Sequence, residues 1–315
     1  MSERSKLMLP DRVRLNVETS GPADAPVTVV LLHGWCLDRR TWHYQRSALE
    51  ATDARVIAYD ARGHGRSSPT LRHSATLEQL GDDLAEVLRV YAPKGPVVLV
   101  GHSLGGMTIM EYADSHPEEF AARVAGLVFV STTAEGATHT SYGLPTPLAS
   151  ILRAAETTGA GVLARLGVWR PHRAMLPALR PAVRWLLFGD GYRSGDLDIT
   201  MSAFGWASLR SIGGFRASVG AQQRLATLAA LGDVPAAALV GDRDRLTPPP
   251  CAESIAEALP GTELTIFEGA GHMLMMERPF EVSAAVLAVA ARAAKTPPVV
   301  RRRARGRRVG YEQAA

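Results

Sequence analysis

Three residue types at separate places in this chain, a serine, a histidine and an aspartate, can together do acyl-transfer chemistry. Ser103 lies in Gly101-His102-Ser103-Leu104-Gly105-Gly106, after the apolar run 97–100 and at the start of a helical stretch. A serine held between a strand end and a helix start occupies a sharp turn. Small residues two places to either side let neighbouring backbone pack closely there. The free N–H groups of the first helical turn then face the site and favour developing negative charge. A Gly-rich turn with an idle serine is the plainer alternative, but the strand–turn–helix context makes the pattern a strong signal.

A serine hydroxyl is a weak nucleophile until a base takes its proton. Of the nine histidines, His272 stands out. It follows the strand-like segment 263–267 and precedes the last helix, so it sits in a loop at the carboxyl end of the sheet, on the edge that carries Ser103. The imidazole needs a carboxylate to fix its tautomer. Gly241-Asp242-Arg243-Asp244 follows the strand-like segment 236–240. Asp244 is the choice because it lies further out in the loop, just before Pro248-Pro249-Pro250, whereas Asp242 suits a turn cap. An oxyanion needs preset donors. The backbone N–H of Leu104 is one. The N–H of Trp35, in His33-Gly34-Trp35-Cys36 after segment 27–32, is the other, and its indole is free to pack.

The positioning elements are legible as periodicity. Segment 12–18 alternates, as an exposed or edge strand would. Segments 27–32, 55–59, 97–100 and 124–130 are short β-branched runs suited to a sheet buried on both faces. Apolar residues Leu77, Leu80, Leu84, Val87 and Leu88 mark a helix over 76–91, and another is predicted over 103–115. Residues 135–225 break this rhythm with short Ala/Leu/Arg helical pieces. Strand–helix alternation returns with 236–240, 249–258, 263–267 and 279–293. The alternation implies a parallel sheet with helices on both faces.

Composition excludes several classes. The chain has 315 residues, 46% hydrophobic and 21% charged, with a mean hydropathy of zero, as in a globular protein with ample core material. Its net charge of +4 belongs to the C-terminal segment, since residues 1–300 hold 29 basic side chains against 30 acidic ones. Residues 296–315, with six arginines, read as a solvated, disordered basic tail, and no nucleic-acid partner is expected. The two cysteines are too few for a disulfide framework and fit a reducing compartment. No signal peptide and no transmembrane segment are read, so the expected location is cytoplasmic. No metal-ligand spacing and no phosphate-binding lysine loop occur, so no metal and no cofactor are expected.

Taken together, His33-Gly34, the run Asp60-Ala61-Arg62-Gly63-His64-Gly65-Arg66-Ser67, Gly101 to Gly105, Gly241 with Asp244, and Gly271-His272 resemble the α/β-hydrolase superfamily, serine-nucleophile branch. The resemblance covers about residues 12–295. It implies a mostly parallel eight-stranded sheet flanked by helices, with the order Ser–Asp–His along the chain. It also implies a core of 12–134 and 226–295 with a helical cap, 135–225, inserted after the sixth strand. In relatives the Asp60–Ser67 loop is structural, which makes His64 structural too. Many members carry proline where this chain has Cys36.

The cap is expected to roof the pocket, with Trp169, Trp185, Phe188 and Trp206 as candidate lining residues and Met273 adding apolar wall beside the histidine. The cap arginines Arg153, Arg165, Arg170 and Arg173 read as solvated. These features point to a serine esterase or lipase acting on a small apolar carboxylic ester. The same triad can also run perhydrolase or haloperoxidase-like chemistry or C–C bond hydrolysis, and a non-catalytic ligand-binding member of the fold is a further alternative.

Overall fold

Short apolar runs in this chain become strands buried on both sides, and the computed structural model shows how they are ordered. It describes residues 2–295 apart from 72, 137, 166 and 171–175, so the basic tail 296–315 lies outside the described residues. The strands are β1 (Glu3–Met8), β2 (Arg14–Ser20), β3 (Thr28–Leu32), β4 (Arg55–Asp60), β5 (Val97–His102), β6 (Val124–Val130), β7 (Ala236–Gly241) and β8 (Thr262–Phe267). They form one sheet in the order β1-β2-β4-β3-β5-β6-β7-β8. β2 pairs antiparallel with both β1 and β4, and the remaining pairs are parallel. This is the α/β-hydrolase fold.

Helices α1 (His43–Glu50), α2 (Leu77–Tyr91), α3 (Leu104–Ser115) and α4 (Pro117–Arg123) alternate with the first six strands. Between β6 and β7 come α5 (Thr146–Arg165), α6 (Leu176–Leu187), α7 (Ser194–Phe204), α8 (Leu209–Ala221) and α9 (Leu225–Ala229). Helices α10 (Pro249–Ala258), α11 (Leu274–Glu277) and α12 (Pro279–Lys295) follow among the described residues.

The period of two in each strand sorts its side chains into two cores. From β3, Val30 and Leu32 face Leu84, Ile109 and Ile255 of α2, α3 and α10. Val29 and Leu31 face the opposite way, into a cluster with Leu49, Val286 and Val289 of α1 and α12. Each fully buried branched side chain contributes about 1.5–3 kcal/mol by leaving water. Helix α2 starts where the Thr76 side chain accepts the Gln79 N–H, and its predicted apolar positions are all buried.

Segment 12–18 is not an edge strand, and β1 was not foreseen. The β1 residues cover the outer side of β2 through a register running from Glu3 opposite Thr19 to Met8 opposite Arg14. Of the polar members of the alternating pattern, Arg12 and Arg14 are exposed but Asn16 and Glu18 are buried. Asn16 donates to Asp60 at 2.9 Å, while Glu18 accepts from Arg39 at 2.8 Å and Arg46 at 3.0 Å. Alternation reported the two faces of the strand, but specific partners, not water, receive Asn16 and Glu18.

Candidate active site

Ser103 follows β5 and precedes α3, with φ 51° and ψ −116°. A non-glycine residue at positive φ is strained, and the surroundings enforce it. Its N–H donates to Val130 O at 3.0 Å, and its carbonyl accepts from Gly106 N at 2.9 Å, Met107 N at 3.1 Å and the Thr132 hydroxyl at 2.7 Å. The glycines around it leave no room for side chains. A Cβ on Gly105 would lie 2.3 Å from Leu32 O, and one on Gly101 would lie 2.5 Å from Gly106 N. The Leu104 N–H opens α3 and so has no partner inside the helix.

His272 and Asp244 reach the same end of the sheet from the loops after β8 and β7. The imidazole Nδ1 lies 2.8 Å from Asp244 Oδ2 and 3.0 Å from Oδ1. Asp244 Oδ1 also accepts the N–H groups of Leu246 and Thr247, both at 2.9 Å, and Oδ2 accepts the Thr247 hydroxyl at 2.9 Å. With the carboxylate accepting throughout, the Nδ1 proton belongs on His272. Burial opposes ionisation of Asp244, but the His272 imidazole, its hydrogen bond and the two N–H groups outweigh it and hold the carboxyl below the usual range. The rejected alternative, Asp242, accepts Gly269 N at 2.8 Å and braces the neighbouring loop.

The histidine loop is tied down from two further sides. His102, next to Ser103, is fully buried; its Nε2 lies 2.9 Å from His272 O, so the ring donates there. Burial, then the neighbouring His272, pushes the His102 pKa down to about 3 and keeps the ring neutral. On the other side, the Glu277 carboxylate accepts Gly271 N at 3.0 Å and Gly189 N at 2.8 Å. Met273 N donates to Leu187 O at 3.0 Å. The end of α6 and the histidine loop are therefore bonded to one another.

The loop after β3 forms a turn closed by Leu37 N donating to Gly34 O at 3.2 Å, with Cys36 at φ 61°. A proline ring cannot take that conformation, so the turn as folded here excludes proline at this position. The Trp35 indole donates to Ser211 O of α8 at 3.1 Å, joining this loop to the helical insertion. His33 accepts Ala61 N on Nε2 at 2.9 Å, so its proton sits on Nδ1 and is donated to Gly34 O at 2.8 Å. His64 is fully buried, with Nδ1 2.9 Å from Arg62 O, and burial drives its pKa down to about 3. That is the structural placement the sequence suggests.

Ser103 and His272 line one cavity of about 450 Å³. Its wall is built from helix faces at three- and four-residue spacing: Ala160 and Leu163 of α5, Val183 and Leu187 of α6, Ile212 and Val219 of α8. Trp35 and Met273 line it as well. The aromatic residues expected there do not. Trp169 and Trp185 are exposed at 77% and 45%, Phe188 is buried in the core below the sheet, and Trp206 lies under the Arg170 guanidinium. Helix orientation, not residue size, decides which side chains of the insertion face inward. Missed residues include Thr247, Glu277 and a cavity arginine, Arg216. Thr247 was findable, since a hydroxyl three places after Asp244 is a common turn partner. Of the arginines singled out earlier, Arg153 donates to Thr140 O, Arg170 covers Trp206, and Arg173 lies outside the described residues.

A family model described as the alpha/beta hydrolase family matches residues 29–286. The chain belongs to that family. Among relatives of this alpha/beta hydrolase is a putative carbamate hydrolase, RutD, of Variovorax paradoxus, 28% identical over 261 residues, 82% of this chain and 89% of that protein. Another is the bifunctional esterase/perhydrolase DCH of Acinetobacter calcoaceticus, 34% identical over 113 residues, 36% of this chain and 40% of that protein. A thermophilic esterase from Thermogutta terrifontis superposes with a TM-score of 0.73 at 25% identity, covering 93% of this chain and 99% of that one. A bromoperoxidase from Bacillus anthracis shares the fold, with a TM-score of 0.74 at 21% identity over 92% of this chain and 99% of that one. The alpha/beta hydrolase described here is thus an enzyme of a hydrolase family, and no helix among its described residues is long and apolar enough to cross a membrane.

Proposed function

We propose that this alpha/beta hydrolase is a serine esterase that cleaves a small, mainly apolar carboxylic ester through Ser103, His272 and Asp244. The observation that carries the reading is the bond from His272 Nδ1 to a fully buried, multiply bonded Asp244, in a loop that lines the same cavity as a strained Ser103. Asp244 fixes the proton on Nδ1, which leaves Nε2 free to accept the Ser103 proton. Ser103 Oγ attacks the ester carbonyl, and the N–H groups of Leu104 and Trp35 receive the oxyanion. His272 then passes the proton to the leaving alkoxide, the C–O bond breaks, and water, activated by the same imidazole, releases the acid. The insertion serves as a cap whose apolar helix faces receive the non-reacting part of the substrate.

Turnover of a p-nitrophenyl ester series, acetyl through dodecanoyl, by wild type and Ser103→Ala tests this. Turnover lost in the variant, with a preferred chain length, supports the reading; equal turnover in both sinks it. A second reading, peracid formation, draws on the similarity to the esterase/perhydrolase of A. calcoaceticus. Hydrogen peroxide would then take the place of water in the second step, so an assay for peracid at added peroxide separates the two.

A further inference from the structure

The cavity wall carries two charged side chains away from Ser103 and His272, Arg216 on α8 and Glu156 on α5. Arg216 shares a helix face with Ile212 and Val219 and lines the cavity that holds Ser103. The residue is 8% exposed. Glu156 Oε2 on α5 lies 3.4 Å from its Nε, an ion pair without a hydrogen bond at Nε. Among the described residues the rest of the guanidinium has no hydrogen-bond acceptor either. The Glu156 carboxylate is meanwhile engaged by the Tyr142 hydroxyl, which donates to Oε2.

A guanidinium cannot shed its charge and carries five donors, so burying its Nε–H unmatched is costly. A strut between α5 and α8 would account for the ion pair, but those helices are already locked together. A Cβ on Gly213 of α8 would lie 2.1 Å from Ala160 O of α5, which shows how closely their backbones meet. No strut is needed there, and the guanidinium belongs to a residue that lines the cavity. Charge decides what they can accept. Arg216 and Glu156 nearly cancel, so a substrate carboxylate entering here would gain one cation and meet one anion. An uncharged oxygen meets only the unfilled donors, and a hydroxyl can in addition donate to Glu156.

Building on the esterase reading, we infer that Arg216 is a specificity-determining residue and that the preferred substrates carry an uncharged carbonyl or hydroxyl oxygen at the end remote from the ester. The probes are matched pairs: p-nitrophenyl alkanoates against the same chains bearing one internal ketone, at several ketone positions, and a chain ending in carboxylate. The same pairs are presented on the alcohol side as acetates of alkanols and oxo-alkanols. In wild type the best oxo ester exceeds its plain counterpart in kcat/KM by about tenfold or more, the scale of one hydrogen bond to a charged group. Arg216→Met brings that ratio close to one, Arg216→Lys keeps part of it, and Glu156→Gln raises the carboxylate-ended ester relative to the ketone. Ratios are read within each variant, so a general loss of activity or stability cancels.

An oxo-to-alkyl ratio unchanged by Arg216→Met on both the acyl and alcohol sides overturns the inference. So does a wild type that prefers the carboxylate to the ketone. If no ester turns over, the esterase reading fails by itself, and calorimetric binding of the corresponding non-hydrolysed amides decides the subsite. Loss of affinity in Arg216→Met for the oxo amide, and not for the alkyl amide, supports it; equal change in both overturns it.

Discussion

Replacing Asp244 by asparagine changes one atom, and the structure fixes how the new side chain must sit. Oδ1 accepts two backbone N–H groups, from Leu246 and Thr247, so the amide oxygen of the variant stays there. The NH2 group therefore takes the place of Oδ2, facing the Thr247 hydroxyl and His272 Nδ1. The hydroxyl can turn to accept, which keeps the local hydrogen bonds and most of the stability. The imidazole cannot adapt without cost: Nδ1 must now accept, its proton moves to Nε2, and Nε2 no longer takes the Ser103 proton. A triad with the wrong tautomer loses about 10⁴ in kcat, which corresponds to about 5.5 kcal/mol of barrier. KM for a p-nitrophenyl ester should change by less than about threefold, because the cavity wall is untouched and the loss falls on the transition state. Steady-state hydrolysis read with a thermal melt gives both quantities. A variant with an unchanged melt that keeps more than a tenth of wild-type kcat refutes the orienting role of Asp244.

Further outcomes follow from other contacts. Gly105→Ala places a Cβ 2.3 Å from a backbone oxygen that cannot move aside, and a fall in melting temperature of several degrees is expected; an unchanged melt contradicts the packing. Trp35→Phe removes the bond to Ser211 O and should lower stability by about 0.5–1.5 kcal/mol in urea unfolding while raising KM for long-chain esters. Burial, opposed by the backbone N–H groups of Gly189 and Gly271, pushes the Glu277 carboxyl from 4.5 up to about 7, so the native state holds a proton that the unfolded chain releases. Stability should then decline by about 3 kcal/mol as pH rises from about 4.5 to 7 and level off above; Glu277→Gln should abolish that decline in urea midpoints compared across pH. His64 and His102 work in the opposite sense. Both are held neutral, with pKa values near 3, so below about pH 6.5 each removes up to about 1.4 kcal/mol per pH unit as the unfolded chain takes up protons. His102→Phe should reduce the acid-side slope by about one proton.

Reading the sequence located every sheet strand except β1: the central strands β3 to β7 are apolar runs buried on both faces, whereas β2 showed by its alternation and β8 by its place in the strand–helix order. β1 escaped because Glu3 to Met8 is mostly polar, and its place is set by pairing with β2 rather than by burial. Ser103, Asp244 and His272 were legible since each follows a strand and must emerge on one edge of a parallel sheet. The wall of the cavity was not. Whether Leu163 or Trp169 faces inward depends on the rotation of each inserted helix, and that rotation is set by contacts such as Gly213 on Ala160 O, which are long-range and leave no periodic trace. Arg216 shows the same limit, since from the sequence alone it is one arginine among many.

The bonds joining α6 to the histidine loop constrain how anything can enter. Gly189 and Gly271 hang from the two oxygens of one carboxylate, and Met273 is pinned to Leu187. Lifting the insertion along that seam would drag the base away from the serine, so a door hinged open there would admit substrate to a disarmed enzyme. Entry along any other margin leaves the base where it is. On the proposed mechanism, the seam that carries the histidine must therefore stay shut for as long as the imidazole is in use.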